Sequence, residues 1–299
     1  MSAPLPLLYE SHCHTPLCKH AVGFPADYAA VAEQRGLKGI IFTCHGPLPD
    51  GMGIEHRMAP EEWETYAALV AGARAEFAGR VDVRLGVESD FVPGFEKWAE
   101  QLHARSPLHH VLGSVHTQTT FYRARYFHGD WFAYQQGYFE HLAQSAETGL
   151  FDTLAHPDLV KNESPRDWLY SRIEPHILRA LDRIAATGVA MELNTSGLNK
   201  ALPEWNPGPR ILAEIRARGI PVVLGADAHR PGRVADRYEE ALRLLAGIGF
   251  THVSLFLDRV RQEIPIPAAL ASLRPLTPAA PAAEPPAASG VTHTHAPFR

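Results

Sequence analysis

Seven short apolar runs recur along this 299-residue chain, and a helix-like stretch follows each of them. The runs lie at about 7–12, 38–43, 81–87, 110–115, 151–155, 189–193 and 220–225. The helical stretches span roughly 25–34, 60–77, 95–104, 132–148, 173–187, 209–218 and 236–246, many of them started by proline or stopped by glycine. Strand–helix units in series, with no separate cluster of strands, predict parallel strands with helices outside. Seven such units favour an α/β barrel over an open sheet, and residues 252–257 fit an eighth strand or an edge element.

A parallel barrel gathers its chemistry at the C-terminal ends of its strands. Here those ends carry His12, His45, Glu88, His116, His156, Asn194 and Asp227, and six of the seven are metal-ligand types. His12 and His14 stand two apart on the first strand, where residues i and i+2 share a side. Random polar residues at strand ends would be mostly Gly, Asn, Ser or Pro, so the pattern points to a metal site. Mixed imidazole and carboxylate donors suit divalent Zn, Mn or Fe.

Other functions are disfavoured by composition. The chain holds 28 basic and 33 acidic residues, a formal net charge of -5, and shows no basic cluster, which argues against nucleic acid as a partner. No apolar run approaches the roughly 18 residues of a membrane span, and the start lacks a secretory signal. Three cysteines, Cys13, Cys18 and Cys44, are too few and odd in number for a disulfide framework, so a cytoplasmic location is expected. Cys13 and Cys44 adjoin histidines and read as soft ligands or as buried bystanders. Residues 275–299 are rich in Pro and Ala and read as a disordered tail behind a single 1–274 domain. His293 and His295 there lack a scaffold and are set aside.

These motifs together resemble the polymerase and histidinol phosphatase (PHP) superfamily over residues 8–257. They are His12-x-His14, Thr43-Cys44-His45, Gly86-x-Glu88, Ser114-x-His116, His156-Pro157-Asp158 and Gly225-x-Asp227-x-His229. The resemblance implies a distorted (β/α)7 TIM-like barrel with three divalent ions. By position, the first ion takes His12, His14, Glu88 and Asp227. The second shares Glu88 with His116 and His156, and the third takes His20, His45 and His229. One position departs: the family motif carries Asp where Cys44 stands, which bears on what orients His45. Another is Asn199-Lys200, where the family often has Arg-Lys.

The family branch with the best-matching loops implies hydrolysis of a small phosphate ester, L-histidinol phosphate in histidine biosynthesis. Such ions lower the pKa of a water for in-line attack on phosphorus and clamp the ester oxygens. Asp227 or His229 is expected to assist proton transfer. Arg57, Lys161 and Lys200, on strand-end loops, are candidates to hold the phosphoryl group, and Asn194 is either a substrate contact or a cap. Asp158 or Glu163 is available for a substrate ammonium. Another phosphate ester or nucleotide remains the alternative substrate. An amidohydrolase is less favoured, because no strand ends in lysine. Oligomeric state is not encoded in these features.

Overall fold

The structure is a computed structural model that describes residues 5–275. The tail expected from residue 275 onward therefore lies, past its first residue, outside the described residues. The strands are β1 (Tyr9–Glu10), β2 (Gly39–Phe42), β3 (Asp82–Leu85), β4 (Val87–Asp90), β5 (Val111–Ser114), β6 (Thr153–Leu154), β7 (Ala190–Asn194), β8 (Val222–Gly225), β9 (His252–Leu257) and β10 (Val260–Pro265). The helices are α1 (Pro25–Gln34), α2 (Trp63–Glu76), α3 (Glu96–His103), α4 (Thr120–Tyr126), α5 (Trp131–Glu147), α6 (Tyr170–Thr187), α7 (Pro209–Ala217), α8 (Tyr238–Ile248) and α9 (Ile266–Ser272).

The strands form two sheets, β1-β2-β3 and β10-β9-β8-β7-β6-β5-β4, and every pairing except β9 with β10 is parallel. The third run is split. Leu85 ends β3 in the small sheet, and one residue later the chain enters β4 in the large one. Gly86 makes that turn, and a Cβ there would sit 2.5 Å from the His110 carbonyl. Counted along the chain, β3 and β4 act as one bent strand, giving seven parallel positions from β1 to β8. The ends of the outermost two meet in a Cys13–Ala228 bridge, and a second bridge joins His45 to Glu88.

Strands β2, β4, β5, β7 and β8 are buried along their whole length, as strands covered by helices must be. Two features differ from the sequence expectation. The aromatic segment at 121–132, rich in Phe, Tyr and Trp, lies between β5 and the helix expected from 132 and reads by itself as a loop folding over the site. Much of it is α4, and Phe121, Tyr126, Phe127, Trp131 and Phe132 pack against the core. The β9–β10 hairpin and α9 were not expected past the eighth strand. Their turn, Asp258-Arg259, takes positive φ (53° and 63°) without glycine or asparagine, and β10 is a mostly exposed polar edge with little apolar signal.

Candidate metal centre

Strand period two aims several side chains at one point. From the small sheet and its loops come His12, His14, His20 and His45. From the large sheet come Glu88, His116, His156, Asp227 and His229. All nine meet at the C-terminal ends of the parallel strands. Glu88 is not at a strand end as expected but at the second position of β4, because the third run bends at Gly86.

Glu88 is the hub. Its Oε1 accepts from Ser114 Oγ at 2.5 Å and lies 3.0 Å from His156 Nε2 and 3.2 Å from His116 Nε2. Its Oε2 lies 2.7 Å from His45 Nδ1, 3.4 Å from His12 Nε2 and 3.8 Å from His14 Nε2. Asp227 Oδ1 is 3.2 Å from His14 Nε2 and 3.3 Å from His229 Nδ1. The rings crowd further: His14 stacks on His229 with centroids 3.9 Å apart, and His20 lies 4.5 Å from His229.

A buried polar atom normally has a hydrogen-bond partner. Here His12 Nε2, His14 Nδ1, His45 Nδ1, Glu88 Oε2, His156 Nδ1 and His229 Nε2 are buried without one. His45 Nδ1 and Glu88 Oε2 approach to 2.7 Å yet make no hydrogen bond of acceptable geometry. His12 Nε2 and His45 Nδ1 are turned on Glu88 Oε2, and nitrogen and oxygen lone pairs that face one another in this way are what divalent cations satisfy. The donor set fits the group that the sequence implies.

The electrostatics agree. Burial raises a carboxyl, yet the imidazoles of His45, His116 and His12 hold Glu88 well below the usual carboxylate range. Asp227 is likewise held down against burial, by His12 and Lys200. Burial would push His116 down, but Asp90 and Glu88 raise it to about 10. Burial wins at His45, which falls to about 3 despite Glu88. The hollow keeps its carboxylates ionised and draws positive charge to them.

A supporting layer fixes the rings, and sequence reasoning missed most of it. His116 Nδ1 pairs with Asp90 Oδ1 at 2.8 Å, and Asp90 Oδ2 accepts from Arg57 at 2.7 Å. His12 Nδ1 pairs with Glu192 Oε1 at 2.7 Å, and Glu192 also accepts from the His156 backbone N–H (2.7 Å) and Asn194 Nδ2 (3.0 Å). Glu10 accepts from the backbone of His12, Ala226 and Ala235 and from the Tyr238 hydroxyl. Ser196 Oγ donates to Asp227 Oδ2 at 3.0 Å. Part of the signal was available: Asp90 stands two residues past Glu88 on β4, and Glu10 two residues before His12.

The expected substrate groups are placed less favourably. Arg57 is buried and spends its guanidinium on Asp90 and the Gly46 carbonyl. Lys161 is fully buried and bonds Asp158, Glu204 and the Trp205 carbonyl. Asn194 is the cap: its Oδ1 accepts from Ser196 N at 2.9 Å. None of these three lines the cleft above the centre. Asp158 is occupied by Lys161, Asn206 and Gly208, and Glu163 by Arg123, so neither is open to an ammonium. Lys200 does line the cleft, 3.6 Å from Asp227 Oδ2. The cleft holds about 500 Å³, and Arg230, Arg233, Gln118 and Ser196 line it beside the histidines. Cys44 does not orient His45. Its sulfur accepts from Thr15 N (3.4 Å) and Thr15 Oγ1 (3.2 Å) and steadies the turn after His14.

Comparison with known proteins shows the family of the chain. A family model described as the PHP domain covers residues 10–196. A Deinococcus radiodurans protein described as a probable histidinol-phosphatase is 38% identical over 251 residues, spanning 81% of this chain and 94% of its own. The Bacillus subtilis histidinol-phosphatase is 28% identical over 78% of this chain and 97% of its own. Among solved structures, the Lactococcus lactis histidinol phosphate phosphatase, complexed with Zn, L-histidinol and phosphate, superposes with a TM-score of 0.71 at 19% identity, covering 85% of this chain and 98% of that one. That likeness extends to a distorted TIM-like barrel. The chain belongs to the PHP domain family.

Proposed function

We propose that this protein is a metal-dependent phosphomonoester hydrolase that converts L-histidinol phosphate and water to L-histidinol and phosphate. The carrying observation is the convergence of seven imidazoles and two carboxylates, six of which carry a buried unpartnered nitrogen or oxygen, below a cation-lined cleft. The curated relatives that bear the histidinol-phosphatase name over most of their length support the substrate.

On this reading three divalent ions are held by His12, His14, Glu88 and Asp227; by Glu88, His116 and His156; and by His20, His45 and His229. When bound, such ions acidify water and neutralise phosphoryl charge. The chain's own groups do the rest. Lys200, Arg230 and Arg233 on the cleft wall bind and orient the non-bridging oxygens. Asp227, fixed by Ser196 and His14, accepts the proton from the attacking water at a carboxylate oxygen. His229 Nδ1, 3.3 Å from Asp227 Oδ1, helps hold that carboxylate in place, and the leaving alkoxide takes its proton from water in the open cleft. Asp90 and Glu192 keep His116 and His12 in one orientation, so little is spent on rearrangement during turnover.

The test is phosphate release from L-histidinol phosphate by the purified chain, with Mn or Zn and with a chelator, beside a panel of sugar, nucleotide and amino-alcohol phosphates. Preference for histidinol phosphate, lost with chelator, is expected. Metal-dependent release from the other esters alone would refute the substrate and keep the centre.

A further inference from the structure

The mechanism leaves two buried thiols unused at the edge of the centre. The short turn Pro16–Cys18 ends at Lys19, whose left-handed backbone (φ 72°) reverses the chain so that Cys18 and His20 both face the hollow. His20 Nδ1 donates to the Cys18 carbonyl at 2.7 Å, which leaves its Nε2 as the free donor atom. The donor atoms of Cys18, His20 and His229 lie within 4.8 Å of one another, and so do those of His14, Cys18 and Cys44. Two of these neighbours carry unpartnered buried nitrogens: His14, itself fully buried, at Nδ1, and His229 at Nε2. Cys44 stands behind Cys18 where the family motif carries an aspartate. Its thiol brings no fixed charge there, so a Cys18 thiolate would face no carboxylate from that side. Cys13 points elsewhere, its sulfur 3.5 Å from the Ile41 carbonyl.

We infer that Cys18 Sγ is a metal ligand together with His20 and His229, which makes the outermost ion position a thiolate–imidazole subsite that prefers zinc-type ions to manganese. The inference rests on the three-ion reading above. On binding, the thiol proton leaves to solvent and a sulfur–metal bond forms. Soft sulfur donors favour zinc and cobalt over manganese, while the carboxylate-bridged positions beside Glu88 and Asp227 lack that bias.

The full-length chain, stripped with chelator and titrated with Co(II) without oxygen, tests this without substrate. A sulfur-to-cobalt charge-transfer band in the near ultraviolet is expected in the wild type, in Cys13→Ser and in Cys44→Ser, and its loss in Cys18→Ser. X-ray absorption of the zinc-loaded wild type should show a sulfur shell at about 2.3 Å, which stands even if Cys18→Ser folds poorly. Three ions bound with no sulfur signal, or a band that follows Cys44 instead of Cys18, overturns the inference alone. A chain that binds no divalent ion overturns the metal centre as well.

Discussion

At the scale of single residues, position separates groups that the sequence presents alike. Lys161 and Lys200 both follow strand ends, yet one is a buried structural tie and the other opens on the cleft. Lys161→Met leaves the buried Asp158 carboxylate without its cation. It should cost about 3–5 kcal/mol of stability, read as a lowered urea midpoint, with KM little changed for the folded fraction. Lys200→Ala should do the reverse, raising KM without a stability loss. Asp90→Asn frees His116 from its carboxylate, and kcat/KM should fall about 10–100-fold with weakened metal retention. Six of the nine stood out because histidine and carboxylate at strand ends are uncommon by chance, while His14 follows from its spacing to His12, and His20 and His229 from the family resemblance. Arg57 was misread because a charged residue on a loop looks the same whether it faces solvent or a buried Asp90 carboxylate. His110 adds a pH dependence. It is fully buried, stacked on Phe256, and burial lowers it to about 3. Its folded value lies below the 6.5 of the free imidazole, so protonation favours the unfolded chain as pH falls from 6.5 toward 3. Stability should decline over that window, and His110→Leu should flatten the decline in urea midpoints even if it lowers them overall.

At the scale of elements, strand ends carry the strain and the fit. His156 and Asp227 adopt positive φ (30° and 50°) where β6 and β8 give way to loops, a backbone that ordinary side chains avoid. Their neighbours impose it: Glu192 holds the His156 N–H, and Ser196 and His14 hold the Asp227 carboxylate. At the end of β8 a Cβ on Gly225 would overlap Glu192 Oε1 and press on His12 Cβ at 2.8 Å. Gly225→Ala should therefore displace Glu192, loosen His12 and lower metal affinity by at least about tenfold, as other losses of ligand-orienting contacts do; equilibrium dialysis against a chelator series would show it. The strand–helix alternation was legible because apolar runs and glycine or proline stops recur. The bend of β3 into β4 was not, since a single glycine inside a run does not reveal that the chain changes sheets.

At the scale of the molecule, the two sheets are joined by the bend at Gly86, by two isolated bridges and by buried polar ties such as Glu10 to Tyr238 and His12 to Glu192. Four of the nine proposed ligands belong to the small sheet or its loops and five to the large one. Ions held by this set fasten one sheet to the other. Chelation should lower the thermal midpoint, and free ion at a hundred times its Kd should restore about 2.7 kcal/mol. Hydrogen exchange in the ion-free chain should quicken most along β1 to β3, the three-stranded sheet that receives four of the nine proposed ligands; uniform quickening would count against the fastening role.

The placement of Asp227 and His229 late in the sequence has a consequence for synthesis. The first four proposed ligands leave the ribosome within the opening forty-five residues, but the last two groups that join them to the far wall, Asp227 and His229, arrive only after β8. A truncated chain ending before residue 227 would keep seven of the nine and still lack the last grip between the sheets. The position formed by Glu88, His116 and His156 would already be complete in it, so filling of the two positions that use Asp227 or His229 would mark a chain that has passed β8.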